Sequence, residues 1–160
     1  MGNLDKKDCI ILNILQDNCR TSLTDISKQV GLSIDSVKKR IKKMEENKIF
    51  HSRIQIRPRN FGFANIVNVK IKLKDHSKEK KGKFIKYLQE NPRISEIFSM
   101  SGEEDLSIVV VSKDAADLNC TISDIKSKFG NIINSWNDSM TLKVYKFESY
   151  NMEKLLGFEK

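Results

Sequence analysis

At 160 residues, 39% of them hydrophobic and 8% aromatic, the chain has material for one sizeable core or two small ones. No stretch approaches the roughly 20 apolar residues of a membrane span. There is no signal-peptide pattern, and Lys6 stands where an N-myristoylation motif after Met1-Gly2 would need Ser or Thr. A soluble, cytoplasmic protein with no membrane partner is therefore expected. The net charge of +8 is uneven: residues 1–60 hold 13 Lys and Arg against 7 Asp and Glu, residues 61–160 hold 16 against 14. A basic N-terminal module points to a polyanionic partner.

Asp5 is the expected cap of a first helix reaching about Asn18, with Cys9, Ile11, Leu12 and Leu15 as its apolar stripe. Ser22-Leu23-Thr24-Asp25 has the form of a capping box, Leu23, Ile26 and Val30 recur at helical spacing, and Gly31 stands where a helix end tolerates a left-handed residue. Ser33 then caps a third helix with Asp35 in its first turn. Its apolar positions are Val37, Ile41 and Met44, and its other face carries Ser36, Lys38, Lys39, Arg40, Lys42 and Lys43. Two helices across a Gly-containing turn, the second basic on its outer side, is the layout of a helix-turn-helix that enters the DNA major groove. The bland alternative is a helical hairpin with a solvated lysine face.

Ile49 to Arg57 alternates polar and apolar residues, which predicts a strand with Arg53, Gln55 and Arg57 outward. It is either a wing against a phosphate backbone or an ordinary exposed strand face. Pro58 to Gly62 breaks the pattern. A strand over Ile66–Leu73 is followed by a basic turn from His76 to Lys83, then a helix with Phe84, Ile85 and Leu88 that ends near Asn91-Pro92. The runs Ile94–Met100 and Leu106–Val111 flank Ser101-Gly102-Glu103-Glu104-Asp105 as a hairpin. Asp114 caps a helix striped by Leu118, Ile122, Ile125 and Phe129 and closed by Gly130, and a last strand is expected over Met140–Phe147. Strand, helix, strand, strand, helix, strand is the ferredoxin-like βαββαβ order, in the α+β class. Helices on one face leave the other to be buried, and a second copy is its natural cover. The expected division is a helix-turn-helix module over 1–57, a linker over 58–64, the ferredoxin-like domain over 65–150 and a tail over 151–160.

Cys9, Cys19, Cys120, His51 and His76 have no zinc spacing, so no metal or cofactor is expected.

Taken together, Leu4-Asp5 with Asp8 and Ile11-Leu12, Gly31-Leu32-Ser33, Arg40-Ile41, Met44-Glu45, Pro58, Gly62 and Ser101-Gly102-x-x-Asp105 resemble the Lrp/AsnC, or feast/famine, family of transcription regulators. The resemblance covers nearly the whole chain. It implies a DNA-binding homodimer joined through its C-terminal sheets, assembly to tetramers or octamers, and an amino acid or similar effector bound at contacts between dimers. It further implies a nucleoid-associated place in the cytoplasm. Lys48 departs from the family's usual Gly at the end of the recognition helix, and Asn47 is an alternative for the left-handed position. Glu104 and Leu106 stand where aromatic residues are common.

By analogy with how the motif docks, Asp35, Ser36 and Lys39 are the candidates for base edges. Lys38, Arg40, Lys42, Lys43, Arg53 and Arg57 are the candidates for phosphates, and the helix starts at Ser22 and Ser33 offer backbone N–H groups to phosphates. Asp35 would repel phosphate, so it faces bases or caps its own helix. In the hairpin, Ser101, Gly102 and Asp105 suit a zwitterion, with Gly amides for a carboxylate and Asp for an ammonium, although a plain turn uses the same residues. Two rival readings stand beside the regulator: a low-specificity DNA-coating, chromosome-organising protein, and a relative of the tetrapyrrole decarboxylases. The second lacks any visible nucleophile and base pair.

Overall fold

The computed structural model describes residues 4–75 and 77–159. Met1, Gly2 and His76, on which the lipidation and basic-turn readings partly fell, lie outside them.

Three helices open the chain: α1 (Lys6–Asp17), α2 (Leu23–Val30) and α3 (Ile34–Glu46). At α1 the capping box is reciprocal, Asp5 accepting from the Asp8 N–H at 2.9 Å and Asp8 from the Asp5 N–H at 3.1 Å. At α2 the Ser22 hydroxyl accepts from the Asp25 N–H at 3.1 Å and donates to the Asp25 carboxylate at 2.6 Å, so that carboxylate holds the capping hydroxyl and leaves the Ser22 N–H alone. Gly31 ends α2 at φ 67°, as its position required. The three helices bury Ile11, Leu12, Ile26, Val30, Val37 and Met44 against one another.

The end of α3 differs from the alternative offered for it. Asn47 stays at φ −80°, and Lys48 takes the left-handed position at φ 57°. The Ile49 N–H bonds to the Met44 carbonyl and the Lys48 N–H to the Glu45 carbonyl, both at 2.9 Å, which is a Schellman closure built without glycine.

The wing strand expected over Ile49–Arg57 is not formed. Residues 51–57 are exposed and belong to no strand. The alternation is real, but Ile54 is 79% and Ile56 64% exposed, so its apolar side meets nothing and its backbone has no ladder.

After a 3-10 turn (Pro58–Phe61) come β1 (Asn65–Leu73), α4 (Lys78–Glu90), β2 (Ile94–Ser99), β3 (Leu106–Ser112), α5 (Ala115–Phe129) and β4 (Ile133–Met140). The strands form one antiparallel sheet in the order β2-β3-β1-β4, the ferredoxin-like order. On one face Val67, Val69, Ile71, Leu106, Ile108 and Val110 pack under Phe84, Leu88 and Ile125 of the two helices. Gly130 closes α5 with right-handed backbone. It is glycine for lack of room, since a Cβ there would lie 2.6 Å from the Lys126 carbonyl oxygen.

The last strand is Ile133–Met140, which corrects the expected Met140–Phe147. A register shift at Lys72/Leu73 brings both Ile133 and Trp136 opposite buried β1 residues, so the inward positions lie three apart and defeat a period-two reading. Leu142, by contrast, is 83% exposed. Beyond β4 the Thr141 N–H still bonds to the Ile66 carbonyl, and Arg59 donates to the carbonyls of Thr141 and Leu142.

The described chain divides into two compact units, one from Ile56 to Val144 and one made of the residues up to Gln55 together with those from Tyr145 onward. The C-terminal residues are thus no free tail. A short helix, α6 (Met152–Leu155), packs on α1, with Met152 against the three-helix core. Asn13 Oδ1 accepts from the Met152 N–H at 2.8 Å, and the Gln16 amide both donates to and accepts from the Tyr150 backbone, each at 2.7 Å.

Candidate functional site: the outer face of α3 and the β2–β3 hairpin

Burial of Val37 and Met44 fixes which side of α3 faces water. Asp35, Lys38, Lys39, Lys42 and Lys43 are all exposed, and Ser36 is half-buried. Lys42 makes a loose pair with Glu46 at 3.7 Å, worth little at such exposure. Lys38, Lys39 and Lys43 take part in no ion pair among the described residues, so α3 presents unneutralised cations to whatever docks on it. Ser33 Oγ accepts from the Ser36 N–H at 3.2 Å and donates to Ser36 Oγ at 2.9 Å, so both hydroxyls serve the cap of α3. Asp35 lies in the first turn, where a carboxylate complements the helix dipole. The turn before α3 is fixed from two sides: Ser27 Oγ donates to the Leu32 carbonyl at 2.7 Å, and Lys7 Nζ donates to the Val30 carbonyl. Arg53 and Arg57 are exposed on an irregular segment rather than on a strand.

Arg40 does not join the outward set. Its guanidinium Nη1 donates to Asp5 Oδ2 at 2.7 Å and to Asp8 Oδ1 at 2.8 Å, across from α3 to the start of α1. Burial alone would raise the Asp5 pKa, but the Asp8 N–H and the Arg40 guanidinium outweigh it and hold the carboxyl below its usual value. The two aspartate bonds in turn raise Arg40. The sequence does hold a signal for this: Arg40 is three residues from Val37 and four from Met44, at the edge of the buried stripe rather than opposite it.

In the hairpin, Ser101 and Gly102 are exposed, with Gly102 at φ 123° and open space where a side chain would be. Asp105 is already engaged. Its Oδ2 accepts from the Leu73 N–H at 2.8 Å and lies 3.5 Å from Lys72 Nζ, while its backbone bonds to Met100 and Ile71, so it ties the hairpin to β1. Glu104, noted in the sequence only as standing where aromatic residues are common, has a place in the hairpin that the sequence did not assign. One carboxylate oxygen accepts from Asn137 Nδ2 at 3.4 Å, and the other is buried with no hydrogen-bond partner. Its contact with Asn137 had no signal in the residue pattern, because that partner comes from a strand that the pattern misplaced.

Among the described residues no group of three or more His, Cys, Asp or Glu is arranged to hold a metal, and no helix is long and apolar enough to cross a membrane.

Residues 4–45 match the AsnC-type helix-turn-helix domain, and residues 66–146 match the Lrp/AsnC ligand binding domain. The chain belongs to the Lrp/AsnC family. It is 32% identical over 122 residues to the transcriptional regulator LrpA of Pyrococcus horikoshii, covering 76% of this chain and 84% of that one. It is also 32% identical over 118 residues to the regulator Ptr1 of Methanocaldococcus jannaschii, covering 72% and 76%. Among solved structures, an AsnC family regulator from Agrobacterium tumefaciens superposes with a TM-score of 0.80 at 29% identity, over 90% of this chain and 94% of that one. A transcriptional regulator of Neisseria meningitidis solved as an L-Met complex shares the fold, with a TM-score of 0.85 at 22% identity, over 96% and 99% of the chains. Lrp/AsnC proteins are DNA-binding transcription regulators and not enzymes, which sets aside the decarboxylase reading.

Proposed function

We propose that this Lrp/AsnC regulator binds specific duplex DNA through the outer face of α3, and that an amino acid or related small effector bound at the β2–β3 hairpin adjusts that binding. The observation that carries the first half is the exposed run Lys38, Lys39, Lys42 and Lys43 on a helix whose opposite side is locked by Val37 and Met44. Lysines at those positions neutralise phosphates, while Asp35, Ser36 and Lys39 near the helix start reach base edges. Arg53 and Arg57 extend the phosphate contact, and the N-termini at Ser22 and Ser33 add backbone N–H groups.

For the effector, Ser101 and Gly102 offer an open approach and amide donors for a carboxylate. Glu104 has an unpartnered oxygen for an ammonium, a role that Asp105 is less free to fill because Leu73 and Lys72 already engage it. An amino acid is the ligand in the Neisseria complex, which has this fold. The sheet face away from α4 and α5 carries Ile66, Phe98 and Val111, apolar side chains suited to cover by a second copy. Dimers joined there would stack into tetramers or octamers through the hairpins, in the cytoplasm on the nucleoid.

A DNA-coating role is the second reading, because the same lysines meet phosphate in any sequence. Salt-titrated binding to the protein's own upstream DNA and to scrambled DNA separates the two. An operator binder prefers its site by roughly a thousandfold or more at physiological salt. Equal binding would favour the coating role.

A further inference from the structure

Each carboxylate at the start of α1 is divided between two tasks. Asp5 Oδ1 and Asp8 Oδ2 cap their own helix, while Asp5 Oδ2 and Asp8 Oδ1 hold Arg40. The four bonds close a ring that joins the first turn of α1 to the middle of α3. The rest of the contact between α3 and its module is apolar, through Val37, Ile41 and Met44. That buried stripe fixes which side of α3 faces the core, but the hydrophobic effect itself is non-directional and leaves the finer angle to packing detail. Charge-assisted hydrogen bonds are directional, and a guanidinium presents its donors in a fixed plane.

We propose that Arg40 is a positioning residue for DNA recognition: through Asp5 and Asp8 it sets the rotation of α3, and so the direction in which Asp35, Ser36 and Lys39 leave the helix, without touching DNA itself. Arg40 thereby belongs to the selectivity of the module rather than to its phosphate contacts. A cation that faces two aspartates within 3 Å is already neutralised and displaces no counterion from DNA.

The test uses the full-length protein and a duplex that the wild type enriches from a random pool, compared with its scrambled version across a salt series. Arg40→Gln should weaken the enriched duplex by about tenfold and the scrambled one much less, so that the preference narrows, while the salt slope on both stays that of the wild type. Arg40→Lys, which can still meet one carboxylate, should restore part of the preference. Asp8→Asn removes a negative charge and by electrostatics alone would tighten every duplex. Positioning instead narrows its preference as Arg40→Gln does, and the double variant is no worse than either single one. Circular dichroism shows that each variant compared is folded. The proposal is overturned if Arg40→Gln lowers the salt slope by about 0.9 and weakens both duplexes alike, the mark of a lost phosphate contact. An unchanged preference in folded Arg40→Gln and Asp8→Asn would overturn it equally.

Discussion

Replacing Met152 with alanine tests whether the C-terminal helix is part of the DNA-binding module. A fully buried Met is worth about 1.5–3 kcal/mol in transfer alone, and Met152 is half-buried against the three-helix core. Its truncation should therefore cost about 1–1.5 kcal/mol, with little cavity penalty because the site opens to water. For a module of this size each kcal/mol moves the melting temperature by about 4–8 °C, so the helical transition should fall by roughly 4–12 °C. Far-ultraviolet circular dichroism of the full chain follows that transition. Hydrogen exchange localises the loss: the amides of Leu155 and Leu156, bonded to Asn151 and Met152, should lose protection together with those of α1. A melting shift below about 1 °C, or unprotected Leu155 and Leu156 amides in the wild type, would refute the reasoning.

Other expectations are as direct. Lys42→Ala should weaken binding to every duplex and reduce the salt slope by about 0.9, since Lys42 is exposed and only loosely paired; a changed base preference would contradict that role. Lys48→Gly should stabilise the helical module by up to about 1 kcal/mol, because a left-handed residue with a Cβ is strained, and denaturant unfolding would show it. Cys19 and Cys120 are exposed and should react with a thiol reagent in the native protein. Cys9 is fully buried and its thiol is pushed up by desolvation, with the charge of Asp8 adding to it, so it should react only on unfolding. The Asp75 carboxyl is held at about 2 by Lys80 and the Ser77 N–H, and its NMR titration should place it there. Since its folded value lies below its unfolded one, whatever it contributes is present above pH 3.8 and is lost as the pH falls toward 2.

Local rules made the helices legible. Asp5, Ser22, Ser33 and Asp114 each cap where a short polar side chain precedes an apolar period, and each accepts the expected backbone N–H. The sheet was legible where one face is buried and the pleat is regular, as in β1 and β3. It failed at β4, where the bulge shifts the period, and at residues 51–57, where an alternating pattern has no neighbouring strand to make it one. The site divided along the same line. The exposed lysines of α3 followed from their own helix, whereas the ties of Arg40 to α1, of Asp105 to β1 and of Glu104 to β4 join residues far apart in sequence, which no window along the chain contains.

The seat of α6 on α1 also bears on biosynthesis. Asn13 and Met152 are 139 residues apart, so a ribosome making this chain releases the helix-turn-helix long before the piece that closes its core. Until then Asn13, Gln16 and the apolar ground under Met152 face water. In a nascent or prematurely terminated chain the three-helix unit therefore lacks its last packing partner until the residues of the other unit have been made.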